Sequence, residues 1–270
     1  MRKLLIFTSI LLSYTLVLGQ DEGERTRLVI STDSGEITVE LYNETPSHRD
    51  NFIKLAQESF YDGTTFHRVM EEFMIQGGNP STKEGAEGQN DGPGYTVPME
   101  LHSAFFHKKG ALCAARQPDN VNPKRASSGS QFYIVHGKQF TVADLDMFEK
   151  RANQDMRNRA MQAFFAAEEN KEYLARVQGA QRERNQDAMQ VVLDEVNPMI
   201  DAWMGEKKFE YSEEQREVYT TLGGAPHLDQ QYTVFGEVVS GLDVVDKIAS
   251  CKKEGSSPNP PIRMTVRVIE

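Results

Sequence analysis

From residue 27 onward the chain alternates between apolar and polar positions. Leu28 and Ile30 are apolar, Thr32-Asp33-Ser34-Gly35 supplies a turn, and Ile37, Val39 and Leu41 are apolar with polar residues between them. Period-two alternation on both sides of a turn predicts a hairpin with one buried and one wet face. Thr45-Pro46 reads as N-cap and first helical residue, and Phe52, Ile53, Leu55 and Ala56 form the stripe of a helix that ends before Asp62-Gly63. Short strand-like runs then recur between glycine-rich turns, at 65–69, 73–76, 110–115, 132–135 and 233–238. A second short helix is expected over 241–249 and a last strand over 263–268. Many short strands with two short helices predict a mainly β fold, an antiparallel barrel or sandwich.

Residues 142–222 follow a different pattern. They show no alternation and are rich in Ala, Glu, Gln, Arg and Met, all good helix formers. Leu145, Phe148, Ala152, Met156, Ala160 and Phe164 recur at spacings of three and four. Further stripes lie at 173–177 and 189–196, the last interrupted by Pro198. Ser212-Glu213-Glu214-Gln215 is a capping box opening a helix that Gly223 closes. The expectation is an α-helical insertion, 142–222, inside one domain of residues 24–270. Its charges read as solvated helix faces, and Trp203 is expected in its core or contact surface.

Composition narrows the function classes. The chain has 270 residues, with 39% hydrophobic and 26% charged content, values of a soluble globular protein rather than a fibrous or disordered one. Lys and Arg number 30 against 40 Asp and Glu, so the net charge of -10 argues against nucleic acid as a partner. Only Cys113 and Cys251 are present, which excludes a disulfide framework; two unpaired thiols are favoured over one bridge. The His residues show no ligand spacing, so no metal and no cofactor is expected. Arg2 and Lys3 precede an apolar run over 4–18, ending in Val17-Leu18-Gly19. That is a signal-peptide pattern over 1–19, shorter than the roughly 20 residues that span a bilayer. The expectation is an exported protein, periplasmic first and otherwise secreted or lumenal, with no stable membrane insertion after cleavage.

The most informative string is Phe66-His67-Arg68-Val69-Met70 followed by Phe73-Met74-Ile75-Gln76-Gly77-Gly78-Asn79-Pro80. An Arg among aromatics needs acceptors for its five donors. On that ground alone, a working Arg68 and a surface Arg68 whose stem covers Phe73 are equal alternatives.

These segments resemble the cyclophilins, peptidyl-prolyl cis/trans isomerases with a Phe-His-Arg-Val/Ile and Phe-Met-x-Gln-Gly-Gly-Asp pattern. Later segments agree in order: Gly110-Ala111-Leu112-Cys113-Ala114-Ala115-Arg116, then Ser127-Ser128-Gly129-Ser130-Gln131-Phe132-Tyr133-Ile134, then His227-Leu228-Asp229 leading into Tyr232-Thr233-Val234-Phe235-Gly236-Glu237-Val238. The likeness covers 27–135 and 226–269, on both sides of the helical block.

The resemblance implies an eight-stranded antiparallel barrel capped by two helices, with a proline pocket on its outside. It implies Arg68 as the catalytic group together with Gln76. It assigns Phe73, Met74, Tyr133 and Leu228 to the apolar floor and walls, and Gln76, Ala115, Arg116 and Gln131 to the substrate backbone. His227 stands for a common Trp, Tyr232 for a His, Tyr133 for a Phe and Arg116 for an Asn. Proline-containing peptides and unfolded protein clients are the implied partners. The rival reading is a cyclophilin-shaped chaperone or binding module whose helical insertion recognises clients. The insertion falls where the family has a short loop beside the pocket, so its two ends should meet at the rim of the site.

Overall fold

The computed structural model describes residues 23–86, 91–205 and 208–269. The signal peptide expected at 1–19 lies outside them. The elements run β1 (Arg27–Thr32), β2 (Gly35–Leu41), α1 (Pro46–Gln57), β3 (Arg68–Met70), β4 (Met74–Gly77), β5 (Ala111–Ala114) and β6 (Phe132–Val135). After these come α2 (Val142–Ala166), α3 (Lys171–Arg182), α4 (Gln186–Gly205), α5 (Glu213–Thr221), β7 (Val234–Ser240), α6 (Leu242–Ala249) and β8 (Met264–Ile269). Eight antiparallel strands form one sheet in the order β8-β1-β2-β7-β5-β6-β4-β3.

That sheet curls until its edges meet. Just before β3, Gly63 N donates to Met264 O, and Met264 N donates to Thr64 O. Phe66 N donates to Ile262 O, and Thr65 pairs with Arg263. The alternation of the hairpin explains its register: Leu28 faces Val39 and Ile30 faces Ile37, so the apolar set points to one side and is fully buried. Inside the barrel these residues meet Ile75, Leu112, Phe132, Ile134 and Val266. Phe52 and Leu55 of α1 and Val245 and Ile248 of α6 join the same core.

β5 and β6 are buried on both faces. Leu112, Ala114, Phe132 and Ile134 point inward, whereas Ala111, Cys113, Tyr133 and Val135 belong to a second cluster on the other face, with Met74, Ala225 and Val234. Two covered faces account for the unbroken apolar run over 132–135. The second cluster carries the site.

One local expectation holds in position without its usual hydrogen bond, and one is corrected. Thr45 occupies the N-cap position of α1 but makes no cap hydrogen bond; its hydroxyl turns back to Tyr42 O. The first-turn amides of Ser47 and His48 donate instead to the Glu100 carboxylate, at 3.1 and 3.0 Å. Pro198 does not end its helix: α4 runs through it to Gly205. Val192, Val196, Ile200 and Met204 lie on one buried face on both sides of Pro198 and pack with Ala160, Phe164 and Tyr173, so burial outweighs the one backbone bond that proline removes.

The four helices α2–α5 leave and rejoin the barrel through a neck. Gly224 N donates to Lys138 O at 2.9 Å, Phe140 N to Tyr219 O at 3.0 Å and Lys109 N to Gly223 O at 3.0 Å. Gly223 has φ +91°, and a Cβ there would strike the Lys138 carbonyl, so glycine is required. Both long-range ends are capped: Thr141 and Asp144 form a capping box on α2, as Ser212 and Gln215 do on α5. Near the neck, Leu145, Tyr211 and Tyr219 pack with Phe106, Phe140 and Phe148; the farther cluster around Val196 forms a core of its own. Trp203 is in neither core. It is 45% exposed and edges a surface groove with Met156, Phe164 and Met199.

Candidate active site

Strand register builds the centre of the site. Arg68 on β3 is the partner of Gln76 on β4, and Gln76 is the partner of Tyr133 on β6. One row of outward side chains therefore crosses three neighbouring strands. Arg68 Nη1 donates to Gln76 Oε1 at 3.3 Å, Gln76 Nε2 donates to Gln131 Oε1 at 3.1 Å, and Gln131 Nε2 donates to Asp91 O at 2.9 Å. Phe73 enters the row from the turn between β3 and β4. Its carbonyl accepts the amides of His136 and Gly137, and the Arg68 guanidinium lies 5.9 Å from its ring centre.

These residues border a cavity of about 90 Å³ lined by Arg68, Phe73, Met74, Gln76, Ala115, Arg116, Tyr133, Leu228 and Tyr232. A wider groove of about 810 Å³ adjoins it, shares Arg68, Gln76, Ala115 and Arg116 with it, and continues past Gln131 and Tyr95. Nine of the eleven residues expected at the site thus line the small cavity, and Gln131 lines the groove. His227 does not line either one. The residue is solvent-exposed, and its ring lies 5.3 Å from that of Phe73 and 6.0 Å from that of Phe148 on α2. Desolvation of the ring, then the neighbouring His107, hold its pKa below the ordinary 6.5.

Charge is unevenly distributed around the cavity. Arg116 is held by Asp119 at 2.6 Å, donates from Nε to Gln231 O at 3.0 Å and lies 4.5 Å over the Tyr232 ring. Arg68, among the described residues, has no carboxylate within ion-pair distance; its contacts are Gln76, Met70 and Phe73. Its remaining donors are open to whatever enters the pocket. Burial, reinforced by Cys113, pushes the Tyr133 hydroxyl well above 10, so it stays protonated. Burial also raises the Cys113 thiol, and both cysteines are free. Among the described residues no group of His, Cys, Asp and Glu is arranged to hold a metal ion.

A set of residues that the sequence did not single out lies directly beneath the pocket. The Tyr133 hydroxyl meets His107 Nε2 at 3.0 Å, His107 Nδ1 meets Asp229 Oδ1 at 2.6 Å, and the Tyr219 hydroxyl donates to Asp229 Oδ2 at 2.5 Å. Tyr211 donates to Pro226 O at 2.9 Å, beside His227 and Leu228. Positions 107, 133, 219 and 229 form no local motif, so nothing in the linear pattern marks them as a unit.

A closed antiparallel barrel with an apolar pocket on its outer wall, rimmed by a guanidinium that has no ion pair among the described residues, has the architecture of the cyclophilin class. The comparisons with known proteins agree. The family model "Cyclophilin type peptidyl-prolyl cis-trans isomerase/CLD" matches residues 27–195 and 204–268, and the chain belongs to that family of isomerases. The match runs through much of the helical insertion as well as the barrel. A Staphylococcus aureus (strain USA300) protein with peptidyl-prolyl cis-trans isomerase in its name is 29% identical over 233 residues, 86% of this chain and 84% of that one. A Synechococcus elongatus peptidyl-prolyl cis-trans isomerase is 40% identical over 116 residues, 42% of this chain and 71% of its own. Among solved structures, a Cryptosporidium parvum cyclophilin type isomerase superposes with a TM-score of 0.52 at 17% identity, covering 91% of this chain and 98% of that one. A second structure of it, in the presence of the dipeptide Ala-Pro, gives a TM-score of 0.51.

Proposed function

We propose that this isomerase turns X-Pro bonds in proline-containing peptides and unfolded protein clients outside the cytoplasm, and that Arg68 drives the step. The observation that carries the reading is Arg68, with no carboxylate partner among the described residues, at the rim of an apolar cavity of about 90 Å³. An X-Pro amide resists rotation with a barrier of about 18–20 kcal/mol because resonance places the nitrogen lone pair in the C–N bond. In the twisted state that lone pair returns to nitrogen and accepts a hydrogen bond. A guanidinium aimed there favours the twisted state over the planar one, which is the condition for catalysis. Phe73, Met74, Tyr133 and Leu228 hold the ring and exclude water, which strengthens the Arg68 interaction. Gln76 steadies Arg68 through Oε1 and, with Gln131, offers amide groups to the peptide backbone.

The basic start and apolar run over 4–18 support an exported protein, periplasmic first. The cyclophilin structure in the presence of Ala-Pro supports a proline-containing substrate. A binding role for the insertion is favoured by its exposed apolar groove of about 520 Å³, bordered by Met156, Met199 and Trp203, soft surface of a kind that fits varied unfolded segments.

The test is protease-coupled isomerisation of a short Ala-Pro peptide by the mature chain, without added metal or nucleotide. Wild type should exceed the uncatalysed rate. Arg68→Ala should lose on the order of 100-fold in kcat/KM with little change in Tm, since it removes a donor aimed at the transition state and not a core group. A wild-type rate equal to the blank would sink the proposal and leave the binding module.

A further inference from the structure

An unbroken file of buried polar groups joins the pocket to the helical insertion. Tyr133 forms pocket wall, His107 and Asp229 lie behind it, and Tyr219 ends the file on α5; their exposures are 4%, 1%, 5% and 0%. The Asp229 carboxylate accepts three hydrogen bonds: from the His107 backbone N–H at 3.0 Å, from Nδ1 of its ring at 2.6 Å and from the Tyr219 hydroxyl at 2.5 Å. With the ring proton on Nδ1, Nε2 accepts the Tyr133 O–H. A buried hydroxyl at 133 is costly without a partner, and Asp229 joins the donors of His107 on one side to the Tyr219 hydroxyl on the other. Asp229 also follows Leu228 directly, so the carboxylate that bonds to His107 beside Tyr133 also sits next in the chain to a second residue lining the pocket.

We propose that Tyr219 is a positioning residue for the proline pocket: through Asp229 and His107, the docked helix α5 sets the Tyr133 ring and Leu228 for substrate. The insertion thus acts on the pocket from behind as well as beside it. This inference rests on the pocket being the proline site. The alternative is that the four groups hold the insertion on the barrel without influencing substrate.

The two are separated by a double-mutant cycle in the full mature chain. Tyr219→Phe removes the hydroxyl and keeps the ring against Phe106 and Tyr211, 5.3 and 5.6 Å away. It is combined with Tyr133→Phe, and kcat/KM, the peptide dissociation constant by NMR titration and Tm are measured for all four proteins. Tyr219→Phe should lower kcat/KM roughly three- to tenfold, mainly through KM, with a matching rise in dissociation constant, the scale of one net hydrogen bond. In the Tyr133→Phe background its further effect on both should be smaller than in wild type, since only the route through Leu228 remains, while Tm still falls. Unchanged kinetics and binding in the single variant, or equal losses in both backgrounds, would overturn the coupling. A wild-type chain that binds the peptide without turning it over would refute the isomerase reading alone, since the cycle on binding still decides this one; failure to bind at all would refute both.

Discussion

Glu100 shows how a single side chain far away in sequence completes a local element. Its carboxylate accepts two first-turn amides of α1, where the helix dipole favours negative charge, and it also holds His48 Nδ1 at 2.6 Å. Glu100→Ala should lower unfolding free energy by about 1–3 kcal/mol, read from urea denaturation, because it strands the donors of buried His48. Activity per folded molecule should stay level, since Glu100 is outside the pocket. The same scale shows what was readable in the sequence. Arg68, Phe73, Met74 and Gln76 lie within one short string and land on adjacent strands, so a linear motif reports their proximity. His107, Asp229, Tyr219 and Glu100 were not readable, because their meaning comes from partners brought together by the fold. His227, expected in the site, does not line the cavity; its ring neighbours Phe73 and Phe148, and Phe148 comes from the insertion.

At the scale of elements, the insertion divides into a part that braces the pocket and a part that does not. Tyr211, Tyr219 and Phe148 belong to the first; Val192, Val196 and Ile200 belong to the second. Val196→Asp should therefore melt the outer helices, lowering the 222 nm circular dichroism, while peptide turnover holds and refolding assistance to a proline-limited protein falls. Equal loss of both activities would show that the outer helices also support the pocket. Replacing 142–222 with a Gly-Ser linker should instead reduce peptide turnover itself, because Tyr219 goes with it. Apolar spacing and the Ser212 capping box made the block legible as helix; Pro198 was misread as a break, and of the two places expected for Trp203 the core is not the one it takes. Periodicity shows which face is apolar but not how much partner surface is available to it. Enough is available around Val196 to carry α4 past a proline, while Trp203 stays 45% exposed.

Over the whole molecule, histidines with lowered pKa values set the acid limit of stability. His48, which is buried, and His67 and His136, which are half-buried, have pKa values held below the ordinary 6.5, in each case chiefly by burial. The unfolded chain takes up protons on these groups before the folded one does, so their contribution is complete above about 6.5 and is lost as the pH falls below it. Tm should be level between pH 8 and 7 and should drop from 6.5 to 5.5; a flat profile down to 5.5 would contradict this. The strand order was legible only in part, since alternation gives strands and faces while the pairing of β1 with β8 joins residues more than 200 positions apart. That pairing has a consequence for synthesis. A ribosome delivers β1 long before β8, and until residues 264–269 emerge, β1 presents a bare hydrogen-bonding edge and residues 63–66 have nothing to pair with. The nascent chain cannot lock while it is still being made, so a stalled or truncated product lacking its last strand is the form most exposed to aggregation and to proteolytic removal.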